Sequence, residues 1–131
     1  MKSAATILQV VGRTTGLILL LLGILLWTGR ALQLIPLHMV LGSLLVLTLL
    51  TQAILAARAG ANPGFVALAV LWAPIMLIFG MTQANLLPGQ YHWAVRVLHL
   101  VVGIAAMGMI DGLGKQVRAG GRSGGLRTVE A

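Results

Sequence analysis

The 131-residue chain contains no cysteine, which excludes disulfides, iron–sulfur ligation and covalent c-type haem attachment, and leaves the redox compartment unreadable. Acidic residues are nearly as scarce. Asp111 and Glu130 are the whole complement, so no carboxylate stands between Met1 and Ile110. Charged residues make up 8% of the chain, against about a quarter in a soluble domain of this size. With 59% hydrophobic residues and a mean hydropathy of +1.01, the composition is that of an integral membrane protein.

What charge there is has one sign. Nine Lys and Arg residues give a net charge of +7. They sit at segment ends and in the tail, so they are read as topology signals, with no nucleic acid implied. Four apolar segments emerge, over about 7–27, 32–57, 64–82 and 91–113. At about 1.5 Å per residue each can cross about 30 Å of hydrocarbon, and unpaired backbone groups in lipid require helices. The first segment lacks a small-x-small cleavage pattern after Trp27 and is kept as a helix rather than a signal peptide. Pro36 falls in the first turns of helix two, and Pro74 is expected to kink helix three.

The connectors are short and marked by Gly29, Gly60, Pro63, Pro88 and Gly89. The expected architecture is therefore an all-α, up-down-up-down four-helix bundle. Cytoplasmic termini put Lys2, Arg13, Arg58, Lys115, Arg118, Arg122 and Arg127 inside, against Arg30 and Arg96 outside, a positive-inside bias suited to the plasma (inner) membrane. Trp27, Tyr91 and Trp93 then belong to an outer aromatic belt. Residues 114–131, rich in Gly and Arg, read as a disordered cytoplasmic tail suited to an anionic lipid surface.

Within these greasy segments stand His38, in Leu37-His38-Met39-Val40-Leu41-Gly42, and His99, in Leu98-His99-Leu100-Val101-Val102-Gly103. An ionisable residue in a membrane helix is costly and marks a site by default. Gly29 precedes His38 by nine residues and Gly89 precedes His99 by ten, so the two halves read as a diverged duplication of a helical pair. Both histidines fall early in helices that run the same way and face each other as diagonal partners. Paired imidazoles at one depth are the ligand set of a six-coordinate haem b, with Gly42 and Gly103 clearing space for the ring.

Haem propionates need cations or polar groups. Arg96 and His92 share the His99 face one and two turns toward the outer surface, and Arg30, Gln33 and Gln90 lie near that level. His92 is otherwise an interfacial residue, a third metal ligand or a substitute for His99. Two histidines alone would equally serve as interhelical hydrogen-bonding groups, whereas zinc or copper would want more protein ligands. Arg13 reads as a snorkelling anchor of helix one, or with Thr14 and Thr15 as a site for an anionic or quinone-like molecule. The methionines read as packing residues. Gly12/Gly16 and Gly108/Gly112 have the spacing of helix-packing or homo-oligomer contacts.

The chain resembles the small four-helix, bis-histidine membrane cytochromes of the b type. One histidine early in helix two and one early in helix four, about sixty residues apart, is also similar to one half of the haem A synthase family. The likeness covers residues 7–113, lacks the second half and any carboxylate for that chemistry, and implies haem b but no substrate conversion. A likeness to small bacterial integral membrane proteins implies fold only. The expected role is an electron carrier near the outer face, more than a stand-alone enzyme, with a quinone or redox protein as partner. The alternatives are a cofactor-free structural or assembly subunit and a small transporter. The last is disfavoured because four-helix exporters depend on an embedded acid that is missing here.

Overall fold

The computed structural model describes the backbone of residues 1–127 and the side chains of residues 1–120. Four helices account for nearly all of it: α1 (Lys2–Trp27), α2 (Ile35–Arg58), α3 (Pro63–Thr82) and α4 (His92–Arg127). Single 3-10 turns at Leu32–Leu34 and Gln83–Asn85 lead into α2 and out of α3. All four helices are long and apolar enough to cross a membrane.

The helix ends follow from local chemistry. Pro36 sits in the first turn of α2, where its missing N–H costs nothing. Asn62 caps α3 by accepting from the Phe65 N–H at 3.0 Å, with Pro63 as the first helical residue. Gly60 takes φ +73° after α2, a left-handed turn that reverses the chain within a few residues. Inside the helices, the hydroxyls of Ser43, Thr48, Thr51 and Thr82 donate to the carbonyl four residues earlier, which satisfies them without water.

Cross-helix contacts fix the topology. The α1 residue Gln9 meets Asp111 and Arg118 near the end of α4, and Ala5 meets Gln52 near the end of α2. At α3, Trp72 Nε1 donates to the Val102 carbonyl at 3.1 Å, and the Asn62 N–H before it donates to Gln116 Oε1 at 2.9 Å. The order is thus up-down-up-down, with α2 parallel to α4. The cross-section is a rhombus: α2 packs on all three other helices, while α1 and α3 do not touch among the described residues. The core on the short diagonal mixes Leu45, Leu49, Ile110 and Leu113 with the small Ala53, Ala56 and Ala106, which let the backbones approach.

Two expectations give way. The fourth helix does not end near Leu113: it continues to Arg127, so 114–127 is helical where a disordered tail was expected, and 128–131 lie outside the described residues. The apolar stripe continues past Leu113 to the buried Val117, while Gln116 and Arg118 bond back to the bundle, so the backbone has reasons to stay helical that hydropathy does not record. Arg13 is not a lone anchor either. Its Nε lies 2.9 and 3.1 Å from the two carboxylate oxygens of Asp111, across the α1–α4 seam.

That pair borders a buried amide cluster. Gln9 Nε2 donates to the Asp111 carbonyl at 2.9 Å, and Gln9 Oε1 accepts from Arg118. Gln52 is fully buried beside it. Gly114 makes the arrangement feasible, since a Cβ there would lie 2.5 Å from Gln52 Nε2 and from Gln9 Cδ. Gly114→Ala is therefore expected to destabilise the detergent-solubilised protein by about 1–3 kcal/mol. Gly42→Ala, whose Cβ would meet nothing within 4 Å, should hold or raise the melting temperature.

Candidate cofactor site

Direct packing of α2 on α4 brings the two membrane histidines together. Their imidazole centroids are 6.1 Å apart with the rings inclined at 41°. His38 is the fourth residue of α2 and His99 the eighth of α4, and the 3-10 turn before α2 makes up the difference in height. Both are half-buried.

The rings border a cavity of about 570 Å³ lined by all four helices. Its wall is overwhelmingly apolar, with Leu45, Val46, Met76 and Leu100 among its members; besides the two histidines, its polar or charged side chains are Ser43, Gln83, His92 and Arg96. Gly42 and Gly103 both line it, and a Cβ on either would project into space with no atom within 4 Å. Each glycine stands one helical turn from its histidine, so the pair leaves open space on the faces that carry the imidazoles.

The rings are supported from behind by two further glycines. A Cβ at Gly23 of α1 would be 3.8 Å from His38 Cε1, and one at Gly80 of α3 would be 3.4 Å from His99 Cε1. Each imidazole thus rests against a glycine of the helix that precedes its own, the same relation in both halves of the chain. Phe79 stands against His99 with a centroid distance of 5.8 Å. The floor is closed by Met107, whose thioether occupies the space a side chain at Gly16 would need.

The nitrogens are distributed unequally. Nδ1 of His38 and Nδ1 of His99 are both buried with no hydrogen-bond partner. One metal held between two imidazoles, at about 2 Å from each ligating nitrogen and roughly another 1 Å to each ring centre, would separate the centroids by about 6 Å, a spacing that direct packing of two tilted rings also gives. Among the described residues no group of three His, Cys, Asp or Glu side chains gathers, so an ion held by protein ligands alone would have only two.

Of the other residues singled out in the sequence, two meet the cavity. Arg96 lines its mouth, with its guanidinium 5.9 Å from the Trp27 ring centre and donating at 3.5 Å to the Trp27 carbonyl. His92 lines it too, its Nδ1 3.0 Å from the Leu86 carbonyl. Arg30, Gln33 and Gln90 are exposed and line no part of it. Arg30 lies between two left-handed residues, Gly29 and Ala31, in a connector that stands clear of the mouth.

Sequence reasoning missed Gly23, Gly80, Gln83 and Trp27 as site residues. For the two glycines a signal existed, as each interrupts an apolar run, Gly23 four residues before α1 ends and Gly80 two residues before α3 ends. Comparison with family models, with curated proteins and with solved structures finds no match.

The unpartnered buried Nδ1 atoms make a strapping role for the histidines testable. A histidine that strapped helices together would lose a hydrogen bond on replacement, whereas these lose an uncompensated polar group. His99→Leu and His38→Leu are expected to leave the melting temperature of cofactor-free protein unchanged or raised. A fall of several degrees in both would make the histidines struts.

Proposed function

We propose that this chain is a membrane haem b protein, ligated by His38 and His99, that transfers electrons near the outer face. The observation that carries this reading is the 6.1 Å imidazole pair on the wall of a 570 Å³ apolar cavity. Two ligands on opposite helices and a large space beside them suit a planar macrocycle that brings its own four equatorial donors. A bare ion would ask for more protein ligands than the site has.

The residues divide the work. His38 and His99 hold the iron through Nε2, and Gly42 and Gly103 leave room for the ring edge. Arg96, with His92 beside it at the mouth, offers charge and hydrogen bonds to the carboxylates of such a ligand. The leucine, methionine and valine lining keeps water from the ring. A six-coordinate haem supplies a one-electron couple with no open axial position, which favours electron transfer over oxygen or substrate activation.

The mouth opens at the end of the bundle that carries Trp27, Tyr91 and Trp93, and the positive-inside bias makes that the outer face with both termini cytoplasmic. Twelve residues of α4, about 18 Å, separate His99 from Asp111 near the other face. A single haem at the outer level leaves most of the bilayer uncrossed, so a quinone or a redox protein serves as partner. The absence of cysteine makes the topology easy to test: Ser3→Cys should label only from the cytoplasmic side.

Protein purified in detergent from haem-replete cells should be coloured, with a sharp Soret band that shifts on dithionite reduction. His38→Ala and His99→Ala should each abolish that spectrum. Gly42→Leu and Gly103→Leu should also lose it, because the added side chain enters the cavity, yet remain folded by circular dichroism. A colourless wild-type preparation overturns the assignment and leaves a structural subunit as the better reading.

A further inference from the structure

A bis-histidine haem is tuned by what its imidazoles bond to, by the polarity around it and by nearby charge. We propose that this site is built for a high reduction potential: that His38 and His99 act as weakly donating neutral ligands, so that the protein accepts electrons readily and holds the ferrous state. The inference rests on the haem assignment above.

Three independent features of the chain push the same way. First, Nδ1 of each histidine is buried without an acceptor. A ligating imidazole ordinarily donates its second N–H to a carbonyl or carboxylate, which raises its basicity and favours the more highly charged, oxidised metal. The residues against the Cε1 atoms beside these nitrogens, Gly23 at His38 and Gly80 at His99, are glycines and bring no side-chain acceptor. Second, the wall is apolar, and the ferric form of a bis-imidazole haem carries one more positive charge than the ferrous form. Burying that charge without counter-charge is unfavourable. Third, the charged side chain on the lining is a cation, Arg96, and the one carboxylate among residues 1–120 is Asp111, about 18 Å further along α4 and engaged by Arg13. No anion among the described residues lines the cavity to offset the ferric charge.

The electron balance is simple. His38 and His99 would hold a group that takes up one electron, either from a reduced metal centre of a partner or from a quinol that releases its proton to water at the mouth; both imidazoles keep their protons, and no bond to the protein is made or broken. The same electron leaves when a stronger oxidant docks. A site of this kind is an electron acceptor for quinol-class or metal donors, not a low-potential reductant.

Gly80 offers a direct test. A serine there would place a hydroxyl beside His99, able to accept from Nδ1 while donating to the Met76 carbonyl one turn back. Holoprotein in detergent is titrated spectroelectrochemically, with haem and excess imidazole in the same micelles as the comparator. The wild type is expected above the comparator. Gly80→Ser is expected to fall by about tenfold in the reduced-to-oxidised equilibrium, which is about 59 mV for one electron. Gly80→Ala adds the carbon without the acceptor and should move the potential less. A Soret band with a wild-type potential at or below the comparator overturns this inference and leaves the haem assignment standing. Equal shifts for the serine and alanine variants also overturn it. A preparation with no Soret band overturns both.

Discussion

The contact between α2 and α4 is the constraint on which the rest of this molecule depends. The section is a rhombus, because Ala53 and Ala56 of α2 and Ala106 of α4 thin the side-chain layer and let these two helices pack together. Helix association in lipid gains little from hydrophobicity and much from such close packing. The cost of the arrangement is borne at the histidines, whose buried Nδ1 atoms have no partner. Gln52 Oε1, outside the cavity, is likewise buried without a partner.

The two ends of the bundle solve the polar problem in opposite ways. At the end of the bundle that carries Lys2, Gln9, Arg13, Asp111 and Arg118 satisfy one another across the α1–α4 seam, with Gln52 packed alongside and its Oε1 unpartnered. The Arg13–Asp111 pair is partly exposed, so it adds at most about 1 kcal/mol; its value lies in fixing the register between the helices. At the other end Ser43, His92 and Arg96 bond to backbone carbonyls, and the Nδ1 atoms of His38 and His99 are left without a partner beside the cavity.

Much of this was legible in the chain. Hydropathy and Gly/Pro punctuation located the four spans, short connectors gave their alternation, and the repeated His-x-x-x-Gly pattern picked out His38, His99, Gly42 and Gly103. What was not legible was whatever depends on partners far away in sequence. Nothing local marks Arg13 as the partner of Asp111 98 residues on, or Gly80 as the backing of His99. The end of α4 was misjudged for the same reason: glycine and arginine argue for a tail, and only the contacts of Gln116, Val117 and Arg118 with the rest of the bundle argue otherwise. Arg30 was grouped with Arg96 by height alone, and height does not say which way a connector runs.

The amide clamp at Gly114 has a consequence for how the protein is made. Gln9 and Arg13 leave the ribosome 98 to 109 residues before their partners Asp111 and Arg118. At about 5–20 residues per second, roughly a hundred residues of synthesis separate them by about 5–20 s. For that interval α1 must lie in or beside the bilayer with an arginine and a glutamine unpaired. The nascent chain therefore depends on its insertion machinery to shelter α1 until α4 arrives. The pairing of the two histidines, on α2 and α4, waits for α4 as well.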